Sequence, residues 1–134
     1  MKNSSHVEGI GTLLQTLPEE MQHWHRFGRI AELHFTQEWD DMHGRAVACA
    51  EMILTDDAEQ YAIRLTLRNV RGRFAFDLQN GFCCGVSIQE YFGRGYEADS
   101  RFRFAAVEFA SEEQGNNTAV YCERIKAELI EEKV

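Results

Sequence analysis

Tyr61, Ile63, Leu65 and Leu67 alternate with Ala62, Arg64, Thr66 and Arg68, and Phe74, Phe76 and Leu78 resume the alternation after Arg71 and Gly72. A period of two sets one row of side chains on each face of a pleated strand, so an apolar row lines a core while Arg64 and Arg68 meet water. The spacing predicts strands over 60–70 and 73–79. Upstream, Leu33, Phe35 and Trp39 share one parity and Glu32, His34 and Glu38 the other, which predicts a strand over 30–39. Asp40, Asp41, His43 and Gly44 supply a turn, and Asp56 with Asp57 a second one. Between them, 45–54 reads as an Ala-rich strand with little contrast between its faces, as expected of a strand covered in part on both sides. Four strands so closely joined form a meander and leave no room for crossover helices, which excludes a parallel doubly wound sheet.

The period is different before Gly28. Ile10, Leu13, Leu14 and Leu17 fall at i, i+3, i+4 and i+7, the spacing of an amphipathic helix of about three turns, with Ser4 or Ser5 placed to cap it. Pro18 disfavours helical geometry at Leu17, yet Pro18-Glu19-Glu20 suits the first turn of a second helix reaching about Trp24. A kinked or two-part helical segment follows, ended by Gly28.

Beyond residue 80 the alternation loosens. Val86 and Ile88 mark a short strand ending near Phe92, Gly93 and Gly95 open a loop, and 101–110 reads as a strand. There Phe102 and Phe104 share one parity and Val107 and Phe109 the other, which a β-bulge near Ala105 or Ala106 reconciles. After a turn at Gly115, Asn116 and Asn117, the residues Tyr121, Ile125 and Leu129 fit a strand face or a helix face. The β-rich start Thr118-Ala119-Val120-Tyr121 favours the strand. The predicted fold is α+β: one domain over 1–134, a curved antiparallel sheet of six or seven strands with the N-terminal helical segment packed on one face.

Composition narrows the function classes. A chain of 134 residues with 44% hydrophobic content, nine Phe and one Pro is globular, and no apolar run approaches the ~20 residues of a membrane span. Fourteen Lys and Arg against 22 Asp and Glu give a net charge of −8, which repels a phosphate backbone and suits a basic protein partner. Nucleic acid and membrane are therefore not expected as partners. The cysteines are Cys49, Cys83, Cys84 and Cys122, without C-x-x-C spacing, and Met1 to Gly11 lacks a basic segment followed by an apolar one. The expectation is a cytoplasmic protein with free thiols acting as small buried hydrophobes.

Candidate chemistry is sparse. His23 and His25 lie two apart, with Glu32 and His34 further on. On an extended backbone both imidazoles share a face and can ligate one ion, whereas on a helix they diverge. The second case is the one expected here, so no metal and no cofactor is predicted. The sequence holds no G-x-S-x-G, H-E-x-x-H or G-x-x-x-x-G-K. Gly93-Arg94-Gly95 lacks the third glycine of a phosphate loop. Cys83 or Cys84 as a nucleophile needs a histidine, and none lies beyond His43. No enzymatic activity is expected.

The second half, from the strand ending at Val70 through GVSIQEYFGRGYEADSRFRFAAVEF to TAVYCERIKAELI, resembles small bacterial domains of the immunity-protein type found beside polymorphic toxins. The resemblance runs through Ile88, Tyr91, Arg101, Phe104, Glu108, Tyr121 and Cys122, and covers about half the chain. It implies a non-enzymatic inhibitor that binds one cognate toxin through an acidic surface, where opposite charge speeds encounter with a basic effector. The carboxylates at predicted turns, Asp40, Asp41, Asp56, Asp57, Glu97 and Asp99, are the candidate partner-binding residues, though Asp also favours turns for local reasons. The alternative is a small-ligand or enzymatic pocket in the concave face of the sheet, lined by Phe74, Phe76, Phe102 and Phe104.

Overall fold

The computed structural model describes residues 1, 7–42, 44–72, 83–92, 103–111 and 117–132, with side chains at 1, 7–42, 44–72, 86–88 and 120–130. The described residues are mostly β, with one α-helix near the N-terminus. The chain runs β1 (Val7–Glu8), α1 (Ile10–Thr16), two single 3-10 turns (Glu19–Met21 and Trp24–Arg26), then β2 (Arg29–Asp40), β3 (Arg45–Thr55), β4 (Tyr61–Arg68), β5 (Arg71–Gly72), β6 (Cys83–Phe92), β7 (Arg103–Ser111), β8 (Asn117–Cys122) and β9 (Arg124–Glu132). None of the helices in this set is long and apolar enough to cross a membrane.

One curved sheet of six or seven strands is not what forms. Nine strands among the described residues divide between a five-stranded sheet, ordered β1-β9-β4-β3-β2, and a four-stranded sheet, ordered β5-β8-β7-β6. All pairs are antiparallel except β1 with β9. The division has a local cause. Arg68 pairs with Arg124 in the first sheet, and only three residues on Arg71 pairs with Tyr121 in the second. Between them Asn69 takes a left-handed φ of 57°, the Val70 N–H donates to Ala48 O at 2.8 Å, and the Glu123 N–H donates to Arg68 O at 2.9 Å. Two neighbouring strands thus turn the same corner together, which is how strands pass from one sheet to another. The segment read as one terminal strand is accordingly two, β8 and β9, in different sheets.

The helical segment keeps the expected core residues with different ends. Ile10, Leu13 and Leu17 are buried and Leu14 packs beside them. Gly9 precedes the helix at a φ of 93°, and a Cβ built there would overlap the Ala127 carbonyl oxygen, so only glycine lets α1 start this close to β9. Ser4 and Ser5 lie outside the described residues. At the other end Leu17 is extended, ahead of Pro18, and the Gln22 side-chain amide donates to Leu14 O and Leu17 O, both at 2.9 Å, closing the helix from outside it. The second helix is reduced to the two 3-10 turns, with His23 extended between them. The second turn buries Trp24, and Phe27 beyond it is fully buried.

One face of the five-stranded sheet presents Met52, Leu54, Ile63, Leu65, Leu67, Ile125 and Ala127 to α1, Trp24 and Phe27. Val86, Val120 and Cys122 of the second sheet join the same core. Each large side chain buried there is worth about 1.5–3 kcal/mol. The register shift in β2 between Ile30 and Glu32 lets Ile30 and Leu33 face this core despite their unlike parity. In the second sheet the shift falls in β6, between Cys83 and Gly85. The ladder runs unbroken through Ala105 and Ala106, where the bulge was expected. The predicted strand over 73–79 and the loop after Gly93 lie outside the described residues.

Candidate functional site

The β2–β3 hairpin outruns the core. Leu33 is half-buried opposite Met52, but further along the same row Phe35 and Trp39 are exposed, and the residues beside them on β3 are Ala46, Ala48 and Ala50. Three methyl groups cannot cover two aromatic rings, so Trp39 keeps 66% of its surface in water and Met42, in the turn, 95%. The periodicity identified the face of Phe35 and Trp39 correctly, and at that end of it both rings stay exposed.

The turn itself is held by charge. Asp40 is buried; its Oδ1 accepts the Met42 N–H at 2.9 Å and its Oδ2 lies 3.5 Å from Arg68 Nη2. Arg68 also donates from Nη1 to Glu38 Oε2 at 2.9 Å, tying β4 to β2 across the outer face of β3. Asp41 points outward and accepts the Trp39 Nε1–H on Oδ1 at 2.8 Å, fixing the indole on the exposed hairpin. A short-range hydrogen bond of this kind orients a side chain that packing leaves loose.

The second acidic turn has a different construction. Asp56 is buried and its Oδ1 accepts the backbone N–H groups of Gln60 and Tyr61 at 2.8 and 3.0 Å, while its carbonyl accepts from Glu59, which is left-handed at φ 54°. Glu59 is ion-paired with Arg29. Asp57 is exposed. The two turns sit at opposite ends of β3, about 30 Å apart by the rise of an extended strand. Asp40-Asp41 and Asp56-Asp57 therefore do not adjoin, and Asp40 and Asp56 each serve their own turn. Glu97 and Asp99 lie outside the described residues, as do Phe74, Phe76 and Phe102 of the pocket alternative.

The outer face of the five-stranded sheet is charged but internally matched. Arg64 stands between Glu51 and Glu128, 3.3 and 3.6 Å away, though its Nε makes no hydrogen bond; Arg124 lies 3.3 Å from Glu8 and His34 3.8 Å from Glu32. Exposed pairs of this kind contribute little each, and they cancel most of the field of the carboxylates they engage.

His23 and His25 do not diverge. With His23 extended and His25 in the following 3-10 turn, the two exposed rings stack with centroids 5.4 Å apart and planes 27° from parallel. Among the described residues no three His, Cys, Asp or Glu side chains converge on a point where a metal ion could sit. Cys49 and Cys122 are buried thiols outside any disulfide. Burial raises both, Cys122 strongly; for Cys49 a hydrogen bond with the Asn69 backbone opposes it. Neither is poised as a thiolate nucleophile.

The residues that sequence reasoning passed over are Trp39 and Met42. Their signal was the run of alanines on β3, which limits how much aromatic surface the neighbouring strand can hide. No protein-family model matches the sequence, and no curated protein and no solved structure matches it either.

Proposed function

We propose that this protein is a non-enzymatic protein-binding module, a cytoplasmic immunity protein that neutralises a cognate toxin, and that the β2–β3 turn is the part of its acidic surface that meets the partner. The observation that carries this reading is the exposed Trp39, oriented by Asp41 and flanked by Met42, on a turn locked to the sheet through Asp40 and Arg68. Tryptophan is over-represented among the residues that dominate protein interfaces, and a bare one on a rigid element needs little ordering when a partner arrives. The net charge of −8 favours a basic partner.

The decisive experiment is co-expression with the products of the genes adjacent to this one. If one of them arrests growth of a bacterial host, this protein should restore growth and co-purify with it as a stoichiometric complex. Its association rate should fall steeply with salt. An adjacent toxin that arrests growth equally with and without this protein would reject the immunity reading.

A further inference from the structure

We propose that the Trp39 indole and the Asp41 carboxylate together form a receptor for an arginine side chain presented by a basic segment of a protein partner. The inference rests on the protein-binding reading above and names the chemistry at its contact.

Three observations converge on the pair. The indole is two-thirds exposed yet not free to turn, because its Nε1–H is bonded to Asp41 Oδ1 at 2.8 Å. Asp41 forms no ion pair among the described residues, whereas the neighbouring carboxylates Glu38 and Asp40 both lie on Arg68. Among the described residues, the negative charge at this turn that no cation engages is thus the one fixed at the rim of the aromatic ring. A cation within the ~6 Å of the ring centroid that cation–π attraction requires, on the tryptophan face that attracts cations best, lies beside that carboxylate as well.

The geometry selects arginine over lysine. A planar guanidinium stacks on an indole and still directs N–H groups sideways to a carboxylate, whereas an ammonium is a strongly hydrated point charge with no such plane. Met42, 95% exposed in the same turn, offers apolar surface for the methylene stem. The net charge of −8 draws a basic segment toward the protein, and the pair supplies a place to seat one of its residues.

The test is a titration of the 15N-labelled full chain with hexa-arginine amide, hexalysine amide and a neutral hexaserine, following the two indole N–H resonances, which Trp39→Phe assigns. The Trp39 resonance should move and saturate with hexa-arginine while that of Trp24, buried in the core, stays in place. Hexalysine should bind about three- to fivefold more weakly, and hexaserine should leave the resonance unmoved. Asp41→Asn keeps a carbonyl acceptor for the indole and removes the charge, and should weaken hexa-arginine by a similar factor. Glu19→Gln, which removes one exposed charge from the first 3-10 turn, should change it less than twofold. A Trp39 resonance unmoved at millimolar hexa-arginine overturns the receptor, as does a Kd that Asp41→Asn leaves unchanged. Against a toxin neutralised by this protein, Trp39→Ala and Asp41→Asn should each weaken binding at least tenfold with the fold intact by circular dichroism. Unaltered affinity in both would overturn the receptor and leave the immunity reading standing. A Trp39 resonance that responds to hexa-arginine as described, with no toxin neutralised, would uphold the receptor and reject the immunity reading.

Discussion

Ile30 and Trp39 stand near opposite ends of one strand, on the same face of the same sheet, and have opposite fates. Ile30 is buried with Leu54 beside it; Trp39 has Ala46 beside it and remains two-thirds exposed. The strand pairs with β3 at both ends, and the one register shift lies beside Ile30, the buried residue, so loss of pairing does not account for the exposure of Trp39. What differs is the packing around each: Ile30 joins the core that holds Trp24 and Phe27, and among the described residues nothing equivalent covers Trp39. A hydrophobic period says which way a side chain points, and only tertiary packing says whether anything meets it.

If that contrast is real, mutation should expose it. Ile30→Ala is expected to cost about 2–4 kcal/mol in urea unfolding, as deletion of a fully packed aliphatic side chain does, while Trp39→Ala changes stability by less than about 0.5 kcal/mol. Comparable losses at the two positions would mean the hairpin end is covered after all.

The acidic turns sharpen the same contrast between built-in and bare residues. Asp56→Ala removes an acceptor shared by two buried or half-buried N–H groups and should cost about 1–3 kcal/mol, whereas Asp57→Ala, one position along and exposed, should be neutral within error. Thermal unfolding of the two single variants is sufficient to compare them.

The smallest effect concerns pH. Burial holds the Cys122 thiol above its ordinary value of 9.0, so above about pH 9 the unfolded chain releases a proton that the folded chain keeps. Stability is complete below that pH and falls as pH rises, by about 1.4 kcal/mol per unit for this group. Urea unfolding at pH 8, 9 and 10 should show the decline, and Cys122→Ala should flatten it.

How much of this was legible in the sequence follows from which interactions are local. The helix core at Ile10, Leu13 and Leu17, the change of period at Gly28 and the β2–β3–β4 meander are set by neighbours within a few residues, and they stand as the pattern predicted. The split into two sheets depends on Glu123 meeting Arg68 across the chain beside the left-handed Asn69, and no periodicity encodes that meeting. The site was half legible. Asp40 and Asp41 were found as turn residues, but the division of labour between them, one buried on Arg68 and one outward on Trp39, needed the register that brings β4 alongside.

The parallel pairing of β1 with β9 bears on how the chain comes to be folded during synthesis. Glu8 and Arg124, which hydrogen-bond across it, are 116 residues apart in sequence. The β2–β3–β4 meander can zip by successive hairpins as it leaves the ribosome, but the outer side of β4 and the open side of β1 both wait for β9, which is made well after β4. Until then Ile63, Leu65 and Leu67 belong to an unpaired sheet edge. Such an edge readily recruits a strand from another chain, so the nascent protein is most vulnerable to aggregation in the interval before β9 emerges.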